Sequence, residues 1–429
     1  MSKIRVGVLG AHRGMQMIDF LMKYEGAELT AICDRFTPLL DRCRSKAESL
    51  GQQIALYQDF DEFLKCDMDA VVLANYATEH APFAIKALQS GRHVFSEVMP
   101  VQNLAEAVEL IEAVEKSGLV YAYGENFCYF RANMEMKLRY ERGDIGEMTH
   151  AEGEYIHDCT AIWPEITYVD PNHWRNTSSY STFYISHALG PIIMATGLKP
   201  VRVVGFENQI DWPLHELGAN NATSGTVMIQ MNNGATVKAI KGYLKREPCN
   251  YWTSIYGTKG VMESDRWGDN RNNMLNVYIE GDKPCEGTYE HYEPAPYIDS
   301  ELSRATAGHF GGDFYTGYFF LEKIQGHPDG RWAIDVYQAM DMSLPGILAY
   351  RSILNGNVPV EYPDLRDPAV RDLYRNDRAC CDPKIAKDQV WPVNSHGVKP
   401  TTPENYEKTK QMWLKKLEEK TQFTAGSEK

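Results

Sequence analysis

Alternation rules out most architectures for the first 122 residues. "IRVGVLG" (4–10) leads into a helical pattern over 14–25, and "ELTAICD" (28–34) follows it. "DMDAVVLAN" (67–75) precedes "HAPFAIKALQSG" (80–91), and "RHVFSE" (92–97) precedes "NLAEAVELIEAVEKSG" (103–118). "VYAYGEN" (120–126) closes the series. Strands this apolar must be covered on both faces, and the intervening helices supply the cover. The expected fold is α/β: a doubly wound parallel sheet of the Rossmann type. Such sheets bind ligands at the carboxyl ends of their strands.

The loop after the first strand reads Gly10-Ala-His12-Arg13-Gly14, not G-x-G-x-x-G. Gly10 permits the tight turn, and the following helix N-terminus offers N–H groups and a positive dipole end to a pyrophosphate. Asp34 closes the second strand, where an acid accepts hydrogen bonds from the ribose hydroxyls. An acid there repels a 2′-phosphate, so NAD is expected over NADP, although Arg35 is its neighbour. Asn75, His80 and Glu97, after later strands, join Gly10, His12, Arg13, Gly14, Asp34 and Arg35 as expected cofactor residues. A doubly wound domain that holds a mononucleotide, or nothing, is the plainer alternative.

Length and charge narrow the rest. At 429 residues the chain exceeds one ordinary core, so two domains are expected, 1–122 and 123–429. The net charge is −14 and no basic run offsets it, which excludes a general attraction to nucleic acid or an anionic membrane. No apolar stretch reaches the roughly 18 residues of a membrane span. The N-terminus enters a strand at once, leaving no room for a signal peptide. The nine cysteines are scattered, with no C-x-x-C, which fits reduced thiols in the cytoplasm.

Beyond 122 the pattern changes. "EMTHAEGEYIHD", "VRVVGFENQ", "GTVMIQMNNGATVKAIKGYL", "YWTSIYGTKGVMESD" and "LNVYIEGD" read as strands, with Asn233-Gly234 as a hairpin signal. They follow one another without crossover helices, so the second domain is expected to be α+β, with a large open, mostly antiparallel sheet. Helices are expected at 311–326 and 333–355. A loop-rich extension with a charged final helix occupies 358–429. One sheet face would pack on helices and the other on a partner subunit, giving a dimer or tetramer.

Five segments together carry a resemblance: "HVFSEVMPVQNLAEA", "YGENFCYFRANMEMKLRYERGDIGEM", "YISHALGPI", "GHFGGDF" and the βαβ series itself. Over roughly 4–360 the chain resembles the Gfo/Idh/MocA oxidoreductase superfamily. That resemblance implies an NAD(P)-holding Rossmann domain and an open-sheet domain for a sugar or polyol. Most members carry Glu-Lys-Pro after the fifth strand, with a lysine that positions and deprotonates the substrate hydroxyl. Here Ser96-Glu97-Val98-Met99-Pro100 has none. The NAD-dependent α-N-acetylgalactosaminidases also lack it. They carry stretches similar to "ENFCY" (125–129), "EGEYIH" (152–157), "YISHALGP" (184–191) and "GHFGGD" (308–313). Two departures stand out. "GAHRG" is poorer in glycine than the glycosidase loop, and Phe310 is inserted within "GHFGG". The acetamido specificity does not carry over.

By those motifs the resemblance implies Glu125, with Asn126, beside the nicotinamide. It implies Tyr155, Tyr184 and His187 as catalytic residues and His309 at the substrate. Histidine suits a base for the departing hydroxyl proton. A tyrosine of lowered pKa could then take the C2 proton made acidic by a C3 ketone. Arg175 suits a polar or anionic substrate group and Trp174 a sugar face. His157, Asp158 and His173 lack compact metal-ligand spacing, so no metal is expected. The leading expectation is an NAD-dependent enzyme that cleaves a glycoside by transient C3 oxidation, elimination, water addition and re-reduction. A net sugar or polyol dehydrogenase and a non-catalytic sugar- or nucleotide-binding protein are the alternatives.

Overall fold

A computed structural model describes residues 3–208, 213–283, 285–397 and 401–426. The first sheet contains β1 (Ile4–Leu9), β2 (Ala27–Cys33), β3 (Ala55–Tyr57), β4 (Ala70–Leu73), β5 (His93–Ser96) and β6 (Tyr121–Tyr123). All pair in parallel, in the order β3-β2-β1-β4-β5-β6. The order reverses direction between β1 and β4, which opens a crevice at their carboxyl ends. Val6, Val8, Val71, Val72 and Val94 are fully buried, as strands covered on both faces require.

The second sheet has nine strands: β7 (Met148–Ile156), β8 (Pro200–Glu207), β9 (Ser224–Met231), β10 (Thr236–Gly242), β11 (Asn250–Gly257), β12 (Gly260–Ser264), β13 (Leu275–Glu280), β14 (Gly287–Tyr292) and β15 (Val360–Glu361). Their order is β14-β13-β12-β11-β7-β10-β9-β8-β15. Every pair is antiparallel except β7 with β10, which run parallel. The Asn233-Gly234 turn joins β9 to β10, with Gly234 at φ +90°.

The expectation of strands without crossover helices fails at one place. Between β7 and β8 the chain forms the helix Ser186–Thr196. Ten of its residues, Ser186 to Ala195, are buried, because the helix lies between the second sheet and the helices Arg131–Arg142 and Val336–Leu354. Gly153 on β7 admits it: a Cβ there would lie 1.9 Å from the Ala188 carbonyl oxygen. That close approach brings the inward side chains of β7 against the helix that carries His187.

The extension after 358 is more ordered than expected. It clamps the first domain along the helix Leu104–Ser117. Glu109, Glu112 and Glu115, three residues apart, pair with Arg378 (2.6 Å), Arg375 (2.7 Å) and Arg371 (2.5 Å). Residues on neighbouring turns share a face, so one helix edge meets one row of arginines.

Candidate active site

A cleft of about 1230 Å³ runs from the crevice of the first sheet to the inner face of the second. Gly10 begins it with φ +91°. A Cβ at Gly10 would lie 2.5 Å from the Ala74 carbonyl group, so the β1 and β4 loops cross where only a glycine fits. Asp34 accepts hydrogen bonds from the Ala11 N–H (2.7 Å) and the Phe36 N–H (2.8 Å), which ties the loop to the end of β2. Its carboxylate still lines the cleft, and a carboxylate has acceptor sites left after two bonds. Asn75 lines it too, with a buried Oδ1 that has no partner among the described residues. The glycine cradle, the acid at the end of β2 and this orphaned amide oxygen fit a dinucleotide.

Two residues stand where glycine-rich loops have none. The His12 ring meets Tyr168 edge-on at 5.5 Å. The Arg13 guanidinium bonds Glu97 (2.9 Å) and Asp313 (2.9 Å), so it bridges the nucleotide loop to the helix Gly312–Gln325. Asp313 also accepts from Asn126 Nδ2 (2.8 Å) and contacts His309 Nδ1 (2.7 Å). Burial alone would raise the Asp313 carboxyl, but Arg13 and His309 outweigh it and hold it well below the usual carboxylate range. Burial pushes Glu97 up against the pull of Arg13. The inserted Phe310 packs edge-on against Phe130 at 5.7 Å and leaves His309 on the cleft wall.

The other end of the cleft is built on His187. Its Nδ1 lies 2.6 Å from Glu125 Oε1, leaving Nε2 as the free ring nitrogen. Glu125 is fully buried. The His187 ring stacks on Phe127 (4.3 Å) and Tyr184 (5.5 Å) and meets Tyr155 at 4.7 Å. Tyr155 sits opposite Tyr251 in the β7–β11 register, and their rings stack at 5.6 Å. Tyr155 Oη lies 3.3 Å from His157 Nδ1. Burial, helped by His309 and His187, lowers His157 to about 4, so that imidazole is neutral and can accept a hydrogen bond at its unprotonated nitrogen. Arg175 lies over the Trp174 ring at 4.5 Å and the Tyr184 ring at 5.6 Å.

Gly10, His12, Arg13, Asp34, Arg35, Asn75, Glu97, Asn126, Tyr155, Trp174, Arg175, Tyr184, His187 and His309 all line this one cleft. Three expected cofactor residues lie behind its wall instead. Gly14 packs in helical backbone against the Gly10 carbonyl. His80 is 1% exposed and holds the Met99 carbonyl at 2.8 Å, bracing the turn after β5. Glu125 stands beneath His187 and orients it. The chemical expectation for the tyrosines also changes. Burial drives Tyr155 well above 10 and Tyr184 up to about 12, so neither tyrosine has a lowered pKa. Trp174 gives one ring face to Arg175 and still lines the cleft.

Sequence reasoning missed Tyr251, Tyr243 and Asp313. Asp313 was visible only as the end of "GHFGGD". Tyr251 becomes a site residue through strand register alone. No group of three His, Cys, Asp or Glu among the described residues is placed to hold a metal. None of their helices is long and apolar enough to cross a membrane.

A dinucleotide crevice joined to an open-sheet domain, with a carboxylate-held histidine where they meet, defines an oxidoreductase-fold enzyme. Residues 4–125 match the oxidoreductase family, NAD-binding Rossmann fold. Residues 210–369 match the C-terminal domain of glycosyl hydrolase 109. The chain resembles the Gfo/Idh/MocA oxidoreductases and, among them, the glycosyl hydrolase 109 proteins. A glycosyl hydrolase family 109 protein of Shewanella sp. (strain W3-18-1) is 25% identical over 394 residues, covering 85% of each chain. One from Solibacter usitatus (strain Ellin6076) is 26% identical over 401 residues, covering 84% of this chain and 88% of that one. Among solved structures, levoglucosan dehydrogenase in complex with NADH and L-sorbose shares the fold at TM-score 0.67 and 17% identity. It is covered over 100% of its length and 85% of this chain. Apo scyllo-inositol dehydrogenase from Lactobacillus casei gives 0.64 and 17%, covering 85% of this chain and 99% of that one.

The cofactor is NAD. A thermal-shift titration checks the role of Asp34. NAD at 100 times its Kd adds about 2.7 kcal/mol of stability. NADP at the same concentration is expected to add much less, because its 2′-phosphate meets the Asp34 carboxylate. Asp34→Ser is expected to narrow that difference; an unchanged preference would remove Asp34 from cofactor choice.

Proposed function

We propose that the protein cleaves a glycoside by transient oxidation at ring C3, elimination across C1–C2, addition of water and re-reduction. The observation that carries this reading is His187, held at 2.6 Å by Glu125 and flanked by Tyr155 and Tyr184 where the nucleotide crevice meets the second sheet. Bound NAD+ supplies a reversible acceptor for the C3 hydrogen as hydride.

The protein's own groups move the protons. His187 Nε2 takes the C3 hydroxyl proton as the C3=O bond forms, and Glu125 stabilises the imidazolium. The C3 ketone then acidifies the C2 hydrogen. Tyr155 Oη takes that proton while passing its own to His157 Nδ1, 3.3 Å away. The phenol never has to stand ionised before the step, and the imidazolium that burial disfavours on His157 forms together with the negative enolate it faces. The C1–O bond breaks as C1=C2 forms, and the aglycone leaves as an alcohol, protonated by the water whose hydroxyl then adds at C1. Water adds at C1, the relay returns a proton to C2, and His187 returns its proton to the C3 oxygen as C3 is re-reduced.

The absence of a lysine at 98 supports this reading over net dehydrogenation, because a dehydrogenase of this family uses that lysine on the reacting hydroxyl. Within the proposal the protein acts in the cytoplasm, where its nine free cysteines stay reduced. It assembles through the outer face of the second sheet, where register places the exposed Phe206, Met228, Tyr256 and Tyr289 on one side.

Aryl glycosides of both anomeric series test the chemistry. The expected result is aglycone release with no build-up of NADH absorbance, and deuterium from solvent at C2 of the product sugar. Steady NADH growth with an unexchanged C2 would convert the reading to a net dehydrogenase. No release and no oxidation across the panel would end both.

A further inference from the structure

At the end of the cleft near the second sheet, a positive charge has no carboxylate paired with it among the described residues. Arg175 projects from the short helix Trp174–Thr177 onto the cleft wall, its guanidinium lying over Trp174 and Tyr184. No carboxylate pairs with it among the described residues. Its electrostatic neighbours are the hydroxyls of Tyr184, Tyr243 and Tyr155 and the Cys159 thiol. Three acids of this region pair with other groups: Glu97 with Arg13, Glu125 with His187, and Asp158 with Lys245 at 2.8 Å.

A second basic group lies near it. Lys241 on β10 is fully buried, and its Nζ has no hydrogen-bond partner among the described residues. It sits 3.9 Å over the ring of Tyr243, which lines the cleft. Register places it beside Tyr155 on the same face of the sheet. Burial is its largest perturbation, and Arg175 adds to it. A buried, unpartnered amine is unfavourable, and buried cations are ordinarily paired. Two such groups close together, in a chain of net charge −14, make a site that lacks its anion.

We propose that the substrate is a pyranoside bearing a carboxylate, a hexuronoside, with that carboxylate on Arg175 and Lys241 supplying a second positive charge from below. This deepens the glycosidase reading and rests on it for the identity of the site. With the two rings at 4.5 and 5.6 Å, the guanidinium brings a planar fork of N–H donors to the cleft. That in-plane fork matches a planar carboxylate. A neutral hexoside would leave both basic groups without an acidic partner.

The test is binding, not turnover. Protein saturated with NADH, in which oxidation cannot begin, is titrated calorimetrically with methyl glycosides in the gluco, galacto and manno series, both anomers. Each neutral sugar is matched with its uronoside and its 6-sulfate. At least one uronoside is expected to bind about 10-fold or more tighter than its neutral parent, the value of a hydrogen bond to a charged group. Arg175→Gln is expected to erase that preference while the thermal shift with NAD persists. Lys241→Met is expected to weaken the uronoside several-fold and leave the neutral parent unchanged. The proposal is overturned if neutral sugars or sulfates bind best, if no uronoside binds, or if the preference survives both substitutions. A protein that prefers the uronoside but releases no aglycone keeps this inference and loses the cleavage reading.

Discussion

Glu125→Gln is expected to lower kcat by about 10³–10⁴-fold while NAD affinity stays within a few-fold of the parent. The carboxylate contacts His187 Nδ1 at 2.6 Å and is fully buried, so it does two things. It fixes the tautomer that leaves Nε2 unprotonated and facing the cleft, and it stabilises the imidazolium formed when the hydroxyl proton arrives. An amide of the same shape can present its NH₂ to Nδ1, which places the ring proton on Nε2 and removes the base. The packing hardly changes. Gly190, whose Cβ would lie 2.8 Å from Glu125 Cγ, leaves room for either side chain. Steady-state rates and the NAD thermal shift together check this. A loss of less than tenfold would mean that Glu125 only fills space beneath the histidine.

Lys241→Met is expected to stabilise the protein by about 1–3 kcal/mol at neutral pH, the penalty of a buried polar group left unbonded. Methionine keeps a similar length and leaves no buried donor. The gain has a pH signature. Burial, with Arg175 adding to it, lowers the folded amine to about 7, whereas the unfolded amine titrates at its ordinary value of 10.5. Between those values the unfolded chain binds the extra proton, so the parent becomes more stable as pH rises from 7 towards 10. The advantage of Lys241→Met is therefore largest below pH 7 and shrinks above it. Denaturant unfolding at pH 6.5, 8 and 9.5 checks both sign and slope. An advantage that stays constant with pH would mean that the amine is paired in solution. A residue that weakens the fold yet sits under the substrate site is the pattern expected where stability is given up for binding.

Much of the fold is legible in the linear pattern because burial on two faces leaves a local trace. Val6, Val8, Val71 and Val72 are apolar in unbroken runs, and those runs demand helices on both sides of a parallel sheet. Gly10 and Asp34 are legible for the same local reason: a tight turn and a strand end have residue requirements of their own. The clamp after 358 leaves no such trace. The row of Glu109, Glu112 and Glu115 is visible on its helix, but its partners lie more than 250 residues away.

The site divides along the same line. The motifs "YISHALGP", "EGEYIH" and "GHFGGD" mark His187, Tyr155 and His309 as residues of interest, and the cleft does gather them. Their chemical roles are decided elsewhere. Whether Glu125 faces a cofactor or a histidine depends on how closely the helix Ser186–Thr196 approaches, which Gly153 on a distant strand allows. Whether Arg13 meets a phosphate or two carboxylates depends on Asp313, 300 residues on. Whether a tyrosine is acidic depends on how much water remains around it, and burial raised both tyrosines that the chemistry seemed to need lowered.

By itself, then, the amino-acid order determined the two-domain plan, the dinucleotide crevice and the set of residues worth watching. These follow from side-chain periodicity and local turn geometry. Only the tertiary structure decided that Glu125 serves His187, that Arg13 locks the nucleotide loop to Asp313, and that Arg175 and Lys241 lie together without an acid. Pairing, burial and the resulting shifts in protonation are properties of neighbours in space, and hydrogen-bond partners here come from strands and helices far apart in the chain.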